Sequence, residues 1–100
     1  AQFALMKDST LVINSARGGI INEPALKQAL IMGQIAGAAT DVLTVEPPVD
    51  GNILLDPAIP NLIITPHSAW VATEARQRLV IQLADNLRGF LDGKPLNRVV

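Results

Sequence analysis

Four ionisable side chains are the strongest candidates for chemistry in this sequence of 100 residues. Arg17 follows a short apolar run, Asp41 lies at the end of a second one, and Glu46 comes soon after Asp41. His67, the single histidine, follows a third apolar run. If these runs are strands that end at one place, the four side chains can act on one small molecule.

Their chemical types are complementary. An imidazole beside a carboxylate is a common proton donor near neutral pH, because the carboxylate favours the charged ring. A guanidinium can hold a substrate carboxylate with two parallel hydrogen bonds and polarise a neighbouring carbonyl. Together these groups suit the addition of hydride to a 2-oxo acid, and the hydride itself must come from a cofactor.

Each residue also has an ordinary structural interpretation when it is taken alone. Arg17, beside two glycines, could bridge a surface loop, and Glu46, before two prolines, could be a solvated loop charge. His67 could be a structural histidine with satisfied nitrogens, and Asp41 could cap a turn. These alternatives lose weight together if all four residues lie on one rim of a sheet.

The elements that must position them are predicted from the apolar pattern. Residues 11–13, 35–42 and 62–64 are short apolar runs bounded by turn residues, which is typical of buried strands. In open parallel sheets, ligands bind outside the carboxyl ends of the strands. Arg17, Glu46 and His67 follow predicted strands and Asp41 lies at the end of one, so we expect all four at that rim.

Two helices are predicted between and after the strands. The first spans residues 23–32, with Asn22 as its N-cap and Gly33 as its terminator. The second spans residues 73–91 with Thr73 as its cap, and its leucines recur every four residues, which predicts a face buried in a core. Strands alternating with helices indicate an α/β fold with a parallel sheet covered on both faces. Three strands are few for such a sheet, so we expect this to be the C-terminal half of a doubly wound fold, ending in a long helix.

Composition narrows the class of protein. The sequence is 49% hydrophobic and 17% charged, with a net charge of −1 and no cysteine. We therefore expect no nucleic-acid partner, no membrane partner, no disulfide and no metal, in a protein of the cytoplasm.

Three segments resemble the D-2-hydroxyacid dehydrogenase family. Asn-Ser-Ala-Arg-Gly-Gly at 14–19 is similar to the family's arginine motif, and Asp-Val-Leu-Thr-Val-Glu-Pro at 41–47 to its glutamate motif. Thr-Pro-His-Ser-Ala at 65–69 resembles its histidine motif. The motifs occur in the family's order, and the glycerate dehydrogenases and hydroxypyruvate reductases are the most similar branch.

The resemblance implies a Rossmann-type fold, NAD or NADP as cofactor, and a role for each residue. Arg17 would bind the substrate's carboxylate and carbonyl oxygen, His67 would be the general acid in reduction, and Glu46 would be its partner. Asp41 would face the nicotinamide carboxamide. The implied cofactor-binding residues are Ser15, Ala16, Arg17, Asp41, His67, Ser68, Ala69 and Trp70.

The sequence also departs from the family. The glycine-rich loop G-x-G-x-x-G is absent. We therefore expect residues 1–100 to be the C-terminal part of an NAD(P)-binding domain, including its final helix, with the substrate domain elsewhere. We expect such a segment to be inactive alone, and the full-length protein to be a homodimer that acts on hydroxypyruvate or glyoxylate.

Two other classes of function stay open. The same fold also serves as a cofactor-binding, corepressor-like interaction module without enzymatic activity. A bare structural fragment that associates through its unpaired sheet edge is the third possibility. A glycine loop and a substrate domain upstream would favour the enzyme.

Overall fold

The computed structural model describes residues 2–99, which divide into two compact units, Ala1–Ser68 and Ala69–Val100. The first unit contains a three-stranded parallel sheet of β1 (Leu11–Asn14), β2 (Gly37–Thr40) and β3 (Leu62–Ile64), in that order. All three predicted strands and their parallel arrangement are confirmed.

The middle strand is shorter than predicted. Only Gly37–Thr40 of the predicted run 35–42 is strand, paired with Leu11–Asn14 on one side and with Leu62–Ile64 on the other. The neighbouring strands are themselves four and three residues long, and beyond the ends of β2 only single hydrogen bonds continue the pairing, from the amide of Ala36 to the carbonyl of Thr10 and from the amide of Asp41 to the carbonyl of Asn14. Ile35 is buried next to the strand, not within it.

Helix α1 (Glu23–Ile31) begins where the sequence predicts. The side chain of Asn22 accepts a hydrogen bond from the amide of Ala25 at 2.9 Å, as an N-cap does. The helix ends at Ile31, one residue before the predicted end, because Met32 is the C-cap. Gly33 follows with φ +65°, the left-handed conformation that terminates many helices.

The core lies on one face of the sheet. Buried residues from α1, from β2 and from a 3-10 helix at Ile53–Leu55 form its centre. Its fully or nearly buried members are Leu26, Ala29, Leu30, Ile35, Ala38, Leu54 and Ile59. This packing fixes α1 and the sheet as one rigid body, to which the loops at the strand ends are attached.

The prediction that both faces of the sheet are covered is wrong for the described residues. Leu11 and Ile13 of β1 are 69% and 76% exposed, and Ile63 of β3 is 65% exposed. Successive side chains of a strand point to opposite faces, and α1 packs with the alternate set, which includes Val12. The apolar runs therefore indicated the strands correctly but not what covers their second face.

The second unit contains helix α2 (Thr73–Leu91). Thr73 is its first residue and not its cap: the N-cap is Ala72, which makes no side-chain hydrogen bond. The predicted burial of the leucine face is also wrong, because no residue of α2 is buried and Leu83 is 59% exposed. A periodic apolar face shows that a helix is amphipathic, but burial requires a partner surface. Among residues 2–99, no helix has both the length and the apolar character needed to cross a membrane.

Candidate active site

The carboxyl ends of the three strands are tied together by hydrogen bonds. The amide of Asp41 donates to the carbonyl of Asn14 at 2.9 Å, and the amide of Thr65 donates to the carbonyl of Thr40 at 3.0 Å. The buried hydroxyl of Thr40 donates to the carbonyl of Val42 at 2.7 Å. The segments that follow the strands therefore all leave from one rim of the sheet.

The loop after β1 is folded by a buried asparagine. Asn14 is 6% exposed; its side-chain oxygen accepts from the amide of Ala16 at 3.2 Å, and its side-chain nitrogen donates to the carbonyl of Arg17 at 2.9 Å. Ser15, Ala16 and Arg17 are exposed at the rim. The Arg17 guanidinium donates to the carbonyl of Ala16 at 2.7 Å, which holds its side chain near its own loop.

Gly18 brings this loop into backbone contact with the loop after β2. A Cβ added at Gly18 would lie 2.0 Å from the carbonyl carbon of Leu43 and 2.4 Å from the amide nitrogen of Thr44. No side chain can occupy such a position without moving one of the loops. A Cβ added at the adjacent Gly19 would meet nothing within 4 Å. The first glycine of the pair is thus required by packing, whereas the second is not.

His67 and Glu46 form an ion pair at this rim. The Nδ1 atom of His67 lies 2.5 Å from Oε2 of Glu46, and Oε1 of Glu46 accepts a hydrogen bond from the amide of Leu43 at 2.6 Å. Their side chains are 41% and 31% exposed, so both are accessible to a small molecule. The backbone of His67 has φ +53°, in the left-handed region.

The environment of Glu46 lowers the pKa of its carboxyl. The largest cause is the hydrogen bond from the amide of Leu43, followed by the hydrogen bond to His67. The positive charges of His67 and Arg17 act in the same direction, and partial desolvation opposes them. Glu46 is therefore ionised at neutral pH and available to orient the imidazole.

Asp41 is buried and holds the chain segment that carries His67. It is 6% exposed, and its Oδ1 atom accepts from the hydroxyl of Thr65 at 2.5 Å and from the amide of Ser68 at 2.9 Å. These two contacts flank His67 in the sequence. Asp41 thus fixes where the turn lies, and its role towards a nicotinamide stays a prediction.

Two adjoining clefts share the Glu46–His67 pair. One, of about 480 Å³, is also lined by Arg17, the two glycines and the backbone beyond β2. The other, of about 460 Å³, has Asp41 and a mostly apolar wall that includes Ile64. The first therefore brings the three predicted catalytic residues together, and the pair can face two bound groups.

Two of the residues implied in cofactor binding lie in the second unit. Ala69 and Trp70 are its first residues, and both are exposed. Within residues 2–99, no three or more His, Asp or Glu side chains are grouped so that they could hold a metal ion.

Sequence reasoning missed several residues that build the site. Asn14 lies within a recognised motif, and its local side-chain hydrogen bonds are of a type that asparagine commonly makes. Thr65 also lies within a motif, but its contact with Asp41 spans two strands. Glu23 lies in the first turn of α1, and its carboxylate accepts hydrogen bonds from the amide of Thr44 and the side chain of Asn52. Nothing in the local sequence signals that long-range contact.

Comparison with known proteins identifies the family of this chain. The model of one family, described as D-isomer specific 2-hydroxyacid dehydrogenase, NAD binding domain, matches residues 1–69. This match confirms the resemblance seen in the three motifs, and the family's description agrees with the expected class of cofactor.

Similar sequences and structures carry related names. Glycerate dehydrogenase of Methylorubrum extorquens is 55% identical over 98 residues, which are 98% of this chain and 31% of that protein. Hydroxypyruvate reductase of Blautia hydrogenotrophica is 43% identical over 96 residues, covering 96% of this chain and 29% of that protein. The chain therefore spans about a third of the length of these relatives.

Among solved structures, a D-isomer specific 2-hydroxyacid dehydrogenase from Xanthobacter autotrophicus Py2, in complex with NADPH and MES, aligns with a TM-score of 0.71. It is 37% identical, and the alignment covers 99% of this chain and 40% of that one. The likeness confirms the predicted Rossmann-type α/β fold.

Proposed function

We propose that the intact protein is an NAD(P)-dependent D-2-hydroxyacid dehydrogenase, because this chain belongs to the family described as D-isomer specific 2-hydroxyacid dehydrogenase, NAD binding domain. It interconverts a small 2-oxo acid and the corresponding D-2-hydroxy acid. The observation that carries the proposal is the cleft in which Arg17 faces the Glu46–His67 ion pair.

The residues of this chain divide the work of reduction. The Arg17 guanidinium binds the substrate's carboxylate and polarises its carbonyl oxygen. His67 donates a proton to that oxygen as the carbonyl carbon is reduced, and it accepts the proton back in the oxidative direction. Glu46, ionised and in contact with Nδ1, keeps the other ring nitrogen of His67 directed at the substrate.

The residues at the rim are compatible with the nicotinamide end of NAD or NADP. When bound, the cofactor supplies the hydride. The exposed loop 15–17 and the turn at 67–68 lie at the carboxyl ends of parallel strands, where such ligands bind. We propose Ser15, Ala16, Arg17, Asp41, His67, Ser68, Ala69 and Trp70 as the cofactor-binding residues. The glycine loop for the pyrophosphate is not in this sequence, so residues 1–100 are proposed to be the C-terminal part of the cofactor domain.

Hydroxypyruvate and glyoxylate are the proposed substrates. Relatives named glycerate dehydrogenase and hydroxypyruvate reductase, together with an aligned glyoxylate reductase structure, support this choice. We further propose that the intact protein is a homodimer in the cytoplasm.

Steady-state assays of the intact protein test the proposal. NADH and NADPH are each combined with hydroxypyruvate, glyoxylate and pyruvate, and oxidation of the nicotinamide is followed by absorbance. We expect turnover that requires both a nicotinamide and a 2-oxo acid. If no such pair is turned over while the protein still binds the nicotinamide, a cofactor-binding interaction module becomes the better description. Residues 1–100 alone are expected to be inactive.

Replacing Arg17 by alanine tests the carboxylate clamp. Hydrogen bonds to charged groups contribute about 1.5–3 kcal/mol, so we expect kcat/KM to fall roughly 10- to 100-fold, with KM raised and kcat lowered. Arg17→Lys keeps the charge without the paired geometry, and it should recover only part of the loss. An unchanged KM in Arg17→Ala would remove the residue from substrate binding.

A further inference from the structure

The loop between β2 and β3 carries Glu46, and its position depends on more than the sheet. Glu46 itself is exposed, and the two prolines that follow it have no backbone N–H with which to donate a hydrogen bond. Something must therefore hold the loop close enough for the carboxylate to reach His67.

Glu23, in the first turn of α1, contacts the loop at two points. Its Oε1 atom accepts a hydrogen bond from the amide of Thr44 at 2.7 Å, and its Oε2 atom accepts one from the side-chain nitrogen of Asn52 at 2.9 Å. Asn52 in turn accepts from the amide of Leu54 with its side-chain oxygen at 2.8 Å. One carboxylate thus accepts hydrogen bonds from the loop at a residue before Glu46 and at a residue after it.

We propose that Glu23 is a positioning residue for the Glu46–His67 pair, holding the loop that carries Glu46 against the rigid α1 helix. The proposal rests on the proposed function in that the pair is taken to perform proton transfer. Nothing in the three sequence motifs contains Glu23 or assigns it to the site.

The chain of contacts from Glu23 to the pair is short. Thr44, which donates to Glu23, is bonded directly to Leu43. The amide of Leu43 donates to Glu46, and its carbonyl abuts Gly18. The amide of Thr44 and the amide that donates to Glu46 are therefore separated by a single residue, Leu43, so a displacement of Thr44 also moves the donor to Glu46.

The other end of the chain of contacts is fixed by the core. Glu23 belongs to α1, whose Leu26 is 1% exposed and whose Ala29 is 1% exposed. A carboxylate on this helix is held by packing, whereas residues 44–51 of the loop, which include Glu46, contain no buried residue. A carboxylate is also the side chain that accepts from two donors through two oxygens, whereas an amide offers only one acceptor.

A second carboxylate that contacts the same helix provides a matched control. Asp56 is half-buried like Glu23, and it also makes one side-chain and one backbone contact. It accepts from Lys27 of α1 at 2.8 Å and from the amide of Ala58 at 2.9 Å. These contacts tie a later part of the loop to α1 without touching the residues next to Glu46. Glu23→Ala and Asp56→Ala thus remove equal numbers of contacts at different distances from the pair.

The kinetic arm compares these variants in the intact protein. For Glu23→Ala we expect kcat to fall about tenfold to a hundredfold, as for a small misplacement of catalytic groups, with KM changed less than twofold to threefold. Asp56→Ala should keep kcat within about twofold of the wild type, because its contacts do not reach Glu46. Glu23→Gln, which retains one acceptor, should lie between. Equal losses of kcat in Glu23→Ala and Asp56→Ala would overturn the proposal.

A second arm does not depend on activity. The pKa of the Glu46 carboxyl is measured by carbon NMR; it should rise towards its usual value in Glu23→Ala and stay as in the wild type in Asp56→Ala. If Glu23→Ala does not fold, Asn52→Asp provides an alternative test. This variant keeps the side-chain acceptor for the amide of Leu54 but removes the donor to Glu23, and it should also raise the pKa of Glu46. An unchanged Glu46 pKa in both Glu23→Ala and Asn52→Asp overturns the positioning role. A wild-type protein without turnover would instead contradict the proposed function, with the NMR result still deciding the role of Glu23.

Discussion

Asp41 and Glu46 follow the same strand and both hold the segment that carries His67, but they do so in different ways. Asp41 is buried, and it accepts hydrogen bonds from the hydroxyl of Thr65 and the amide of Ser68. Glu46 is partly exposed and contacts the imidazole itself. One carboxylate fixes the backbone of the turn, and the other acts on the ring.

The difference shows how a site can be both rigid and responsive. A buried carboxylate with satisfied hydrogen bonds sets geometry, because breaking its contacts is costly. An exposed carboxylate is close enough to influence a proton on a neighbour, and solvent can still reach both.

The largest effect is expected from removing the imidazole. His67→Gln in the intact protein should lower kcat by about 10²- to 10⁴-fold, as for loss of a general acid, while KM changes little. Thr65→Val removes a hydroxyl that contacts Asp41 and should lower kcat far less. Should the two variants lose kcat to a similar extent, the distinction between fixing the turn and acting on the ring would fail.

A change at Gly18 tests the contact that sets the position of the Glu46 loop. Gly18→Ala must displace the backbone at Leu43 or Thr44, and we expect a loss of about 1–3 kcal/mol in the free energy of unfolding, as for overpacking. Gly19→Ala is the control, and its free energy of unfolding should change by less than about 0.5 kcal/mol. Urea denaturation measures both. Similar values for the two variants would show that the loops separate without cost.

Substitutions of Asp41 test its proposed structural part in the comparison. Asp41→Ala leaves the Thr65 hydroxyl and the Ser68 amide without this acceptor, so we expect a loss of about 1–3 kcal/mol in the free energy of unfolding. Asp41→Asn retains an oxygen in the same place and should lose less. Urea denaturation again gives the comparison, and equal stability of the alanine variant and the wild type would contradict a structural role for Asp41.

The smallest expected effect is the change in the free energy of unfolding when Glu46 is replaced, and this change depends on pH. The pKa of Glu46 is lower in the folded chain, so its contribution to stability is present above its ordinary value of 4.5 and is lost as the pH falls through the folded value. Glu46→Gln should therefore be slightly less stable than the wild type at neutral pH, and the gap should close in acid. If the difference in stability between the wild type and Glu46→Gln became larger in acid, the pKa of Glu46 would not be lowered by folding, which would contradict this prediction.

Local features of the fold could be predicted from the sequence, and features that depend on a partner surface could not. Asn22 and Gly33 determine the ends of α1 through their own backbone preferences, so the helix was predicted within one residue. The exposure of Ile13 and Leu83 was not predicted, because an apolar pattern does not state what covers it. The residue type of Thr73 predicts a cap, but Ala72 occupies that position.

The site divides in the same way. The meeting of Arg17, Glu46 and His67 was predicted because the carboxyl ends of parallel strands share a rim. The contacts of Glu23 and Thr65 were not predicted, because each joins residues more than twenty positions apart through side-chain geometry that no local pattern encodes. The recognised motifs thus contain the candidate catalytic groups, whereas the residues that hold them in place are visible only in the structure.

The left-handed backbone of His67 has a consequence for how this position can vary. A non-glycine residue with φ +53° carries a conformational cost that glycine does not, although histidine, asparagine and aspartate adopt this region more often than most other residues. Neither glycine nor asparagine can exchange a proton, and aspartate does so far from neutrality. Glycine, the replacement that would relax the main chain at residue 67, is therefore one that would remove the acid–base chemistry proposed for this position.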